Sequence, residues 1–516
     1  MVIETAPRTW LLLLLFPIFL LLLHHALITF TASRARKNNK DRLPPSPLAL
    51  PVIGHLHHLV GSLPHVSLRR LAARHGPDLM LLRLGAVPML VASSPRAAEA
   101  ILRTHDHVFA SRPRTVLADI VFYGSRDVGF APYGDHWRQA RKLVTTHLLS
   151  AKKVQSLQLA REEEVSTVMA KISMAATASA VVDIGQILRS FTNDMICRTV
   201  SGKCPREDRQ KRIFQELANE TSLLLGGFDI EEYFPVLARV GLVGKMMCVK
   251  AERLKKRWDE LLEELINDHE NDDHSCNLIS DQNDEDFVDI LLSVRQEYGF
   301  TREHVKAILQ DVFFGGIDTS ALVLEFTIAE LMQRPRLLKK LQDEVRACIP
   351  KGQKIVSEVD INNMAYLRAV IKEGIRLHPV APVLAPHISM DDCNIDGYMI
   401  PSGTRVLVNV WAIGRDPRFW EDAEEFVPER FIDSMSSAAA NVNFRENDYQ
   451  YLPFGSGRRM CPGMKFGIAV VEIMLANLMW KFDWTLPPGT EIDMSEVFGL
   501  SVHRKEKLLL VPKQHE

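Results

Sequence analysis

The run Phe454-Gly455-Ser456-Gly457-Arg458-Arg459-Met460-Cys461-Pro462-Gly463 has the make-up of a loop that presents a sulfur, and it leads straight into an apolar stretch. Two glycines, Gly455 and Gly457, let its backbone approach a flat ligand closely. Pro462 can open a helix without losing a hydrogen bond. Cys461 then lies at a helix amino terminus, where the peptide dipoles favour the thiolate, the form of cysteine that ligates metals. Arg459 supplies a cation suited to a carboxylate. A lone cysteine in an apolar setting is usually just a small buried residue. The spacing of the whole run reverses those odds.

Three further constellations stand out. Gly315-Gly316-Ile317-Asp318-Thr319-Ser320 lies inside a long helical run. Adjacent glycines in mid-helix cost about 1 kcal/mol each relative to alanine, so they call for a reason. A tight helix crossing is one. Room for a small molecule, with an acid and a hydroxyl to relay protons, is the other, and Asp318-Thr319 favours it. Glu373 and Arg376 share a helix face at i, i+3, ahead of Leu377-His378-Pro379 and the later Phe426-Val427-Pro428-Glu429-Arg430-Phe431. On an exposed helix such a pair contributes little. Trp137 and Arg141 form an i, i+4 aromatic–cation pair after Phe130-Ala131-Pro132-Tyr133-Gly134.

Length and apolar spacing predict helices over Ala151–Ile172, Gly244–His269, Thr301–Arg334, Pro335–Cys348, Leu367–His378 and Gly463–Lys481. Leu79–Leu84 and Pro88–Ala92 flank Gly85 as a hairpin, and Thr404–Val410 reads as a strand. Asn271–Asp286 and Met435–Asn441 read as loops. The body these elements build is mainly helical with a minor sheet, and no second domain boundary is evident.

Composition narrows the function. The 516 residues carry a formal charge of −2, too little excess of Lys and Arg to favour a nucleic-acid partner. The seven cysteines are odd in number and none is spaced as CxxC, so neither a disulfide framework nor a zinc site is indicated. His269-Glu270 and His274 miss the metalloprotease spacing by one residue, Gly455-Ser456-Gly457 fails as a dinucleotide fingerprint, and no P-loop is present. From Trp10 to Phe30 the chain is almost wholly apolar, about 21 residues or roughly 30 Å of helix, enough to cross a bilayer core. Arg34, Arg36, Lys37, Lys40 and Arg42 follow and favour a cytoplasmic position for what comes after. A cleaved signal peptide is the rival reading, but its apolar core would be shorter. Leu43-Pro44-Pro45-Ser46-Pro47 then begins a stiff, extended spacer.

The pattern FxxGxRxCxG, as it stands at Phe454–Gly463, resembles the haem-binding loop of the cytochrome P-450 family. The other motifs occur in that family's order over essentially the whole chain. The resemblance implies haem b (iron protoporphyrin IX) with Cys461 as axial ligand to the iron, in a loop shaped by Phe454, Gly457 and Gly463. It implies that Arg459, Trp137, Arg141 and His387 reach the haem propionates, and that Gly315 and Gly316 border the space for dioxygen. Thr319, helped by Asp318, would relay protons. Glu373, Arg376 and Arg430 would form a buried network supporting the haem loop. The implied fold is mainly α with a minor β component, a long central helix over the haem and the cysteine loop beneath, plus one N-terminal transmembrane helix. Residues 1–33 would be the membrane anchor, 34–54 a basic and proline-rich hinge, and 55–516 a single haem-binding monooxygenase domain.

That domain would insert one oxygen atom from O2 into a small hydrophobic substrate. Without a nucleotide motif of its own, it would draw electrons from NADPH through NADPH-cytochrome P-450 reductase, on the cytosolic face of the endoplasmic reticulum membrane. A haem electron-transfer protein and a membrane-tethered interaction protein are the non-enzyme alternatives. Gly76–Gly85, Ala160–Val165, Leu224–Phe228 and Arg504–Lys507 resemble the grass enzymes that oxidise indole and indolinones toward benzoxazinoid defence compounds. By the same resemblance, substrate contacts fall in Thr115–Tyr123, Phe313–Ile317, Val380–Leu384 and Phe498–Leu500. Terpenoid, phenolic and xenobiotic substrates stay open.

Overall fold

The computed structural model describes residues 42–61, 63–202, 208–226, 233–234, 242–271, 285–350, 352–432 and 448–515. The apolar stretch Trp10–Phe30, the basic residues Arg34 to Lys40 and the loop Met435–Asn441 lie outside them, as does most of Asn271–Asp286. In chain order the principal helices are α1 (Pro64–His75), α2 (Asp135–Leu143), α3 (Gln158–Thr177), α4 (Ile184–Ser201), α5 (Asp208–Gly226), α6 (Leu242–Asn271), α7 (Arg302–Gln333), α8 (Pro335–Cys348), α9 (Ala365–Leu377) and α10 (Met464–Lys481).

Helix α7 organises the rest. Apolar residues recur on nearly every face of its 32 residues, so it has no solvent side and runs through the core. Helices α4, α5, α9 and α10 pack around it. Thr301 starts it with a capping box closed by His304. It ends at Gln333 because Arg334 precedes Pro335, and a residue before proline is pushed out of the helical region. Gly374 of α9 brings that helix against Thr327 of α7, where a methyl group would overlap the threonine hydroxyl.

The sheet component is small. Strands β1 (Leu79–Leu84) and β2 (Val87–Ala92) form an antiparallel hairpin around Gly85, whose φ of 58° suits glycine. Strand β3 (His387–Ile388) and β4 (Arg405–Val408) complete the order β1–β2–β4–β3, with β2 and β4 parallel. Strand β5 (Phe482–Thr485) pairs antiparallel with β6 (Leu509–Gln514).

Two expectations are corrected. Ala151–Ile172 is not one helix: a short helix ends at Ser156 and α3 begins at Gln158. The Ser156 hydroxyl donates to the Lys153 carbonyl (2.9 Å) and Arg161 takes the Val154 carbonyl (2.7 Å), engaging two acceptors that a continuous ladder would use. The strand expected over Thr404–Val410 stops at Val408, because the Asn409 side chain caps a helical turn, Val410–Ile413, by accepting the Ala412 N–H at 3.0 Å.

Candidate active site

The cysteine loop is closed by its own backbone. The Cys461 N–H donates to the Phe454 carbonyl at 2.9 Å. Gly455 and Gly457 both sit at φ 68°, and a side chain at Gly457 would overlap the Leu102 carbonyl and crowd Asp106. The loop thus needs the glycines at its bend. The Cys461 sulfur is exposed, and the surface it meets is an internal cavity of about 400 Å³, a size suited to a small organic molecule. Burial in the protein pushes the thiol up. The Gly463 N–H, the Arg141 charge and the Met464 N–H act the other way, toward thiolate. Helix α10 starts at Met464 with Gly463 as N-cap, so Pro462 stands in the turn before the helix rather than opening it.

One edge of this cavity is cationic. Arg459 donates from Nε to Ala110 O (2.7 Å), from Nη1 to Val128 O (3.2 Å) and from Nη2 to Ala131 O (2.6 Å). A guanidinium has five N–H donors, so two are left for another acceptor. Arg141 lines the same edge and donates to Met460 O (2.6 Å). Arg112, which nothing in the sequence reading singles out, joins them. It donates from Nε to Gly129 O (3.2 Å) and from Nη1 to Ala385 O (2.6 Å) and Pro386 O (2.9 Å). Its one sequence signal is an arginine amid Phe109-Ala110-Ser111 and Pro113. Trp137 lines the cavity too, but its single N–H goes to Val128 O (3.1 Å). It meets Arg459 through its ring rather than as a donor to a carboxylate. His387 is buried, with Nδ1 2.7 Å from Phe109 O, and burial beside Arg112 holds its pKa well below the ordinary value, so the imidazole is neutral.

Helix α7 supplies the next wall, and here the paired glycines divide their roles. A methyl group at Gly315 would meet nothing, whereas one at Gly316 would overlap the Ile196 side chain of α4. The two glycines thus differ: open space at Gly315, a close helix crossing at Gly316. Thr319 faces the cavity and its hydroxyl donates to the Gly315 carbonyl at 2.8 Å. Asp318 is buried away from the cavity lining; burial raises it to about 6 against the opposing charge of Arg189. The cavity brings Cys461, Thr319, Gly315 and the arginines together, and leaves Asp318 one step behind them.

The expected substrate-contact segments hold in part. Val380, Ala381, Leu384 and Leu500 line the cavity, as does Phe314. Thr115–Tyr123 does not. Phe122 is fully buried and stacks on Phe130, and the loop touches the cavity through Val128–Phe130 instead. Phe313 and Ile317 also face away: Phe313 stacks on Phe214 at 4.2 Å, and the Ile317 carbonyl accepts the Thr192 hydroxyl at 2.5 Å.

Glu373, Arg376 and Arg430 meet in the core. Arg376 donates to both Glu373 oxygens (2.7 and 2.8 Å), Arg430 Nε to Oε1 (3.1 Å), and the Val427 N–H to the same oxygen (2.7 Å). Arg376 also donates to the carbonyls of Ala423 (2.7 Å) and Glu425 (2.8 Å). The network binds α9 to the irregular stretch Gly414–Phe431. Tyr451, which leads into the cysteine loop, donates to Lys372 O (3.0 Å) and ties that loop to the same helix.

The donor set fits haem. Burial holds Arg112 down at about 10 and Arg459 at about 9, the mark of cations short of counter-charge. A flat ligand bearing two carboxylates, with a metal for the sulfur, supplies what this cavity lacks. A mainly helical fold with a thiol facing such a cavity is a setting for a metal-bearing ligand of that kind.

The chain belongs to the cytochrome P450 family, whose model matches residues 44–511. It is 51% identical to an indole-2-monooxygenase of Zea mays over 99% of this chain and 97% of that one. It is 49% identical to an indolin-2-one monooxygenase of Zea mays, covering 94% and 91%. A solved structure of a zebra fish cytochrome P450 with progesterone aligns at TM-score 0.73 and 25% identity, over 88% of this chain and all of that one. Membership makes the chain a cytochrome P450 monooxygenase. It implies a haem-iron cofactor, dioxygen, a small substrate and a redox partner reductase.

Proposed function

We propose that this enzyme inserts one oxygen atom into an indole- or indolin-2-one-type substrate of plant benzoxazinoid biosynthesis, with Cys461 as the residue that would hold the haem iron. The observation that carries the haem assignment is the Cys461 sulfur facing a cavity edged by Arg112, Arg141 and Arg459. The substrate class rests on identity near one half to two maize enzymes of that type along nearly the whole chain. The cavity wall agrees: Val380, Ala381, Leu384, Leu500 and Phe314 are apolar and suit a small aromatic ring.

When bound, haem supplies one-electron redox chemistry and dioxygen activation. The chain's own residues do the rest. Arg112, Arg141 and Arg459 would hold the two haem carboxylates. Gly315 leaves room beside Thr319. The Thr319 hydroxyl can leave the Gly315 carbonyl and donate into the cavity, and Asp318, titrating near 6, can resupply its proton close to neutral pH. Electrons come from NADPH through NADPH-cytochrome P-450 reductase. The apolar run Trp10–Phe30 and the basic residues after it support an endoplasmic reticulum membrane anchor over residues 1–33, a hinge over 34–54 and one cytosolic catalytic domain over 55–516.

The test is an optical titration of the ferric enzyme with indole and indolin-2-one, using imidazole to verify an open iron site. A saturable Soret shift with either indole compound supports the substrate class. Imidazole binding with no response to either compound defeats it and directs the search to terpenoids, phenolics and xenobiotics.

A further inference from the structure

The peptide Val128–Ala131 is held from two sides. Its carbonyls face the cationic edge: Val128 O accepts from Arg459 and Trp137, Gly129 O from Arg112, and Ala131 O from Arg459. Its N–H groups face two acids. Asp311 of α7 accepts on Oδ2 from Val128 N (2.5 Å) and Gly129 N (3.1 Å), and Asp127 accepts on Oδ2 from Phe130 N (2.6 Å). Asp127 Oδ2 and Asp311 Oδ1 each lie 3.4 Å from where a Gly129 methyl group would stand, so both acids border this peptide. Asp127 is wholly buried, and Asp311 reaches the cavity one helical turn before Gly315.

We propose that Asp311, paired with Asp127, is a positioning residue: it fixes the Val128–Ala131 peptide to α7 and thereby sets where Arg112 and Arg459 stand at the haem carboxylates. The inference rests on the proposed haem site and adds a residue to it. Both carboxyls lie against Gly129, and Asp127 Oδ1 is buried without a hydrogen-bond partner, so the two acids crowd one another. Burial and the neighbouring acid push Asp311 well above the usual carboxylate range, and burial raises Asp127 to about 6, as such a pair requires. A movement of α7 beside Gly315 would therefore pass through one short peptide to two of the three guanidiniums.

Asparagine at 311 separates positioning from bulk. Its carbonyl can accept both loop N–H groups while its amide donates to Asp127, whereas alanine can do neither. Full-length holoproteins carrying Asp311→Asn and Asp311→Ala are compared with wild type by amide hydrogen exchange over residues 126–131 and by the rate of haem transfer to excess apomyoglobin. Asp311→Ala should quicken both by roughly tenfold or more, while Asp311→Asn stays within about twofold of wild type. Wild-type behaviour of Asp311→Ala on both readouts overturns the proposal, as does equal damage in the two variants. If Asp311→Ala does not accumulate, wild type decides. Val128, Gly129 and Phe130 amides exchanging as slowly as those of α7 support the anchor, and exchange at the rate of an exposed loop overturns it. A wild-type protein that retains no haem defeats the haem reading instead, and the exchange comparison still judges the anchor.

Discussion

Arg459 and Trp137 converge on one carbonyl oxygen, that of Val128, with the guanidinium carbon 4.2 Å from the indole ring centroid. A planar cation over an aromatic face, with donors spread to Ala110, Val128 and Ala131, is a task for arginine rather than lysine. Arg459→Lys keeps the charge but cannot reach three carbonyls from one ammonium. The expected loss is about 3–6 kcal/mol of stability, from two charged-donor hydrogen bonds given up at about 1.5–3 kcal/mol each. Thermal unfolding followed at the Soret band checks it, and an unchanged midpoint would mean that the fork carries no weight.

The two glycines of α7 should respond oppositely to the same change. Gly316→Ala drives a methyl group into Ile196, and overpacking at such a crossing costs about 1–3 kcal/mol. Gly315→Ala meets open space and removes a mid-helix glycine, a gain of up to about 1 kcal/mol. Its cost falls on the cavity, which shrinks beside Thr319, so indole affinity and the site of oxidation should change while the fold is kept. Unfolding midpoints and Soret titrations of the two variants test this. Equal effects on stability would contradict the division of roles.

What the sequence discloses and what it hides follow from the range of the interactions. The Cys461 loop and the Glu373–Arg376 helix declare themselves because their defining residues lie within a few positions of one another. Asp311 does not, since the amides it holds lie 183 and 182 residues away and nothing nearby marks it. Arg112 is hidden likewise, its partners Ala385 and Pro386 being 273 and 274 residues off. The glycine pair announces that something comes close, but only α4 reveals which glycine is approached. Periodicity does not mark helices α1, α2, α4 and α5. In α4, polar residues such as Thr192 and Asn193 are buried on faces turned to other helices, which blurs the apolar stripe.

Glu373 stands fully buried between two guanidiniums, those of Arg376 and Arg430. Glu373→Gln keeps the shape and one acceptor oxygen but leaves both cations without a counter-charge. Breaking one partner out of a buried ionic network costs about 3–5 kcal/mol. The denaturation midpoint should drop accordingly, and holoprotein yield with it, because Tyr451 links the same helix to the cysteine loop. A variant of wild-type stability would show the network to be dispensable.

Asp318 does not itself line the cavity, so its loss should spare binding and strike turnover. Asp318→Asn removes the group that titrates near 6 while preserving its volume. Product formation is expected to slow by roughly 10²-fold, with the indole dissociation constant unchanged. Steady-state rates alongside Soret titrations separate the two, and a shift confined to binding would place Asp318 outside proton supply.

His269 of α6 and Asp286 give the fold a pH dependence that can be isolated. Burial alone would lower the histidine, but the hydrogen bond from Nε2 to Asp286 Oδ2 (2.9 Å), the carboxylate's charge and the Leu265 carbonyl outweigh it and raise His269 to about 9. A folded value above the unfolded one of about 6.5 means that the stability contributed is complete below about pH 6.5. It falls as pH rises and is gone above about 9. His269→Gln can still donate to Asp286 and does not titrate. The wild type should therefore exceed the variant in urea midpoint at pH 6, and the gap should close progressively toward pH 9. Measuring the difference between the two proteins cancels the other titrating groups. A gap of constant size from pH 6 to 9 would mean that the pair stabilises by packing alone, with the imidazole neutral throughout.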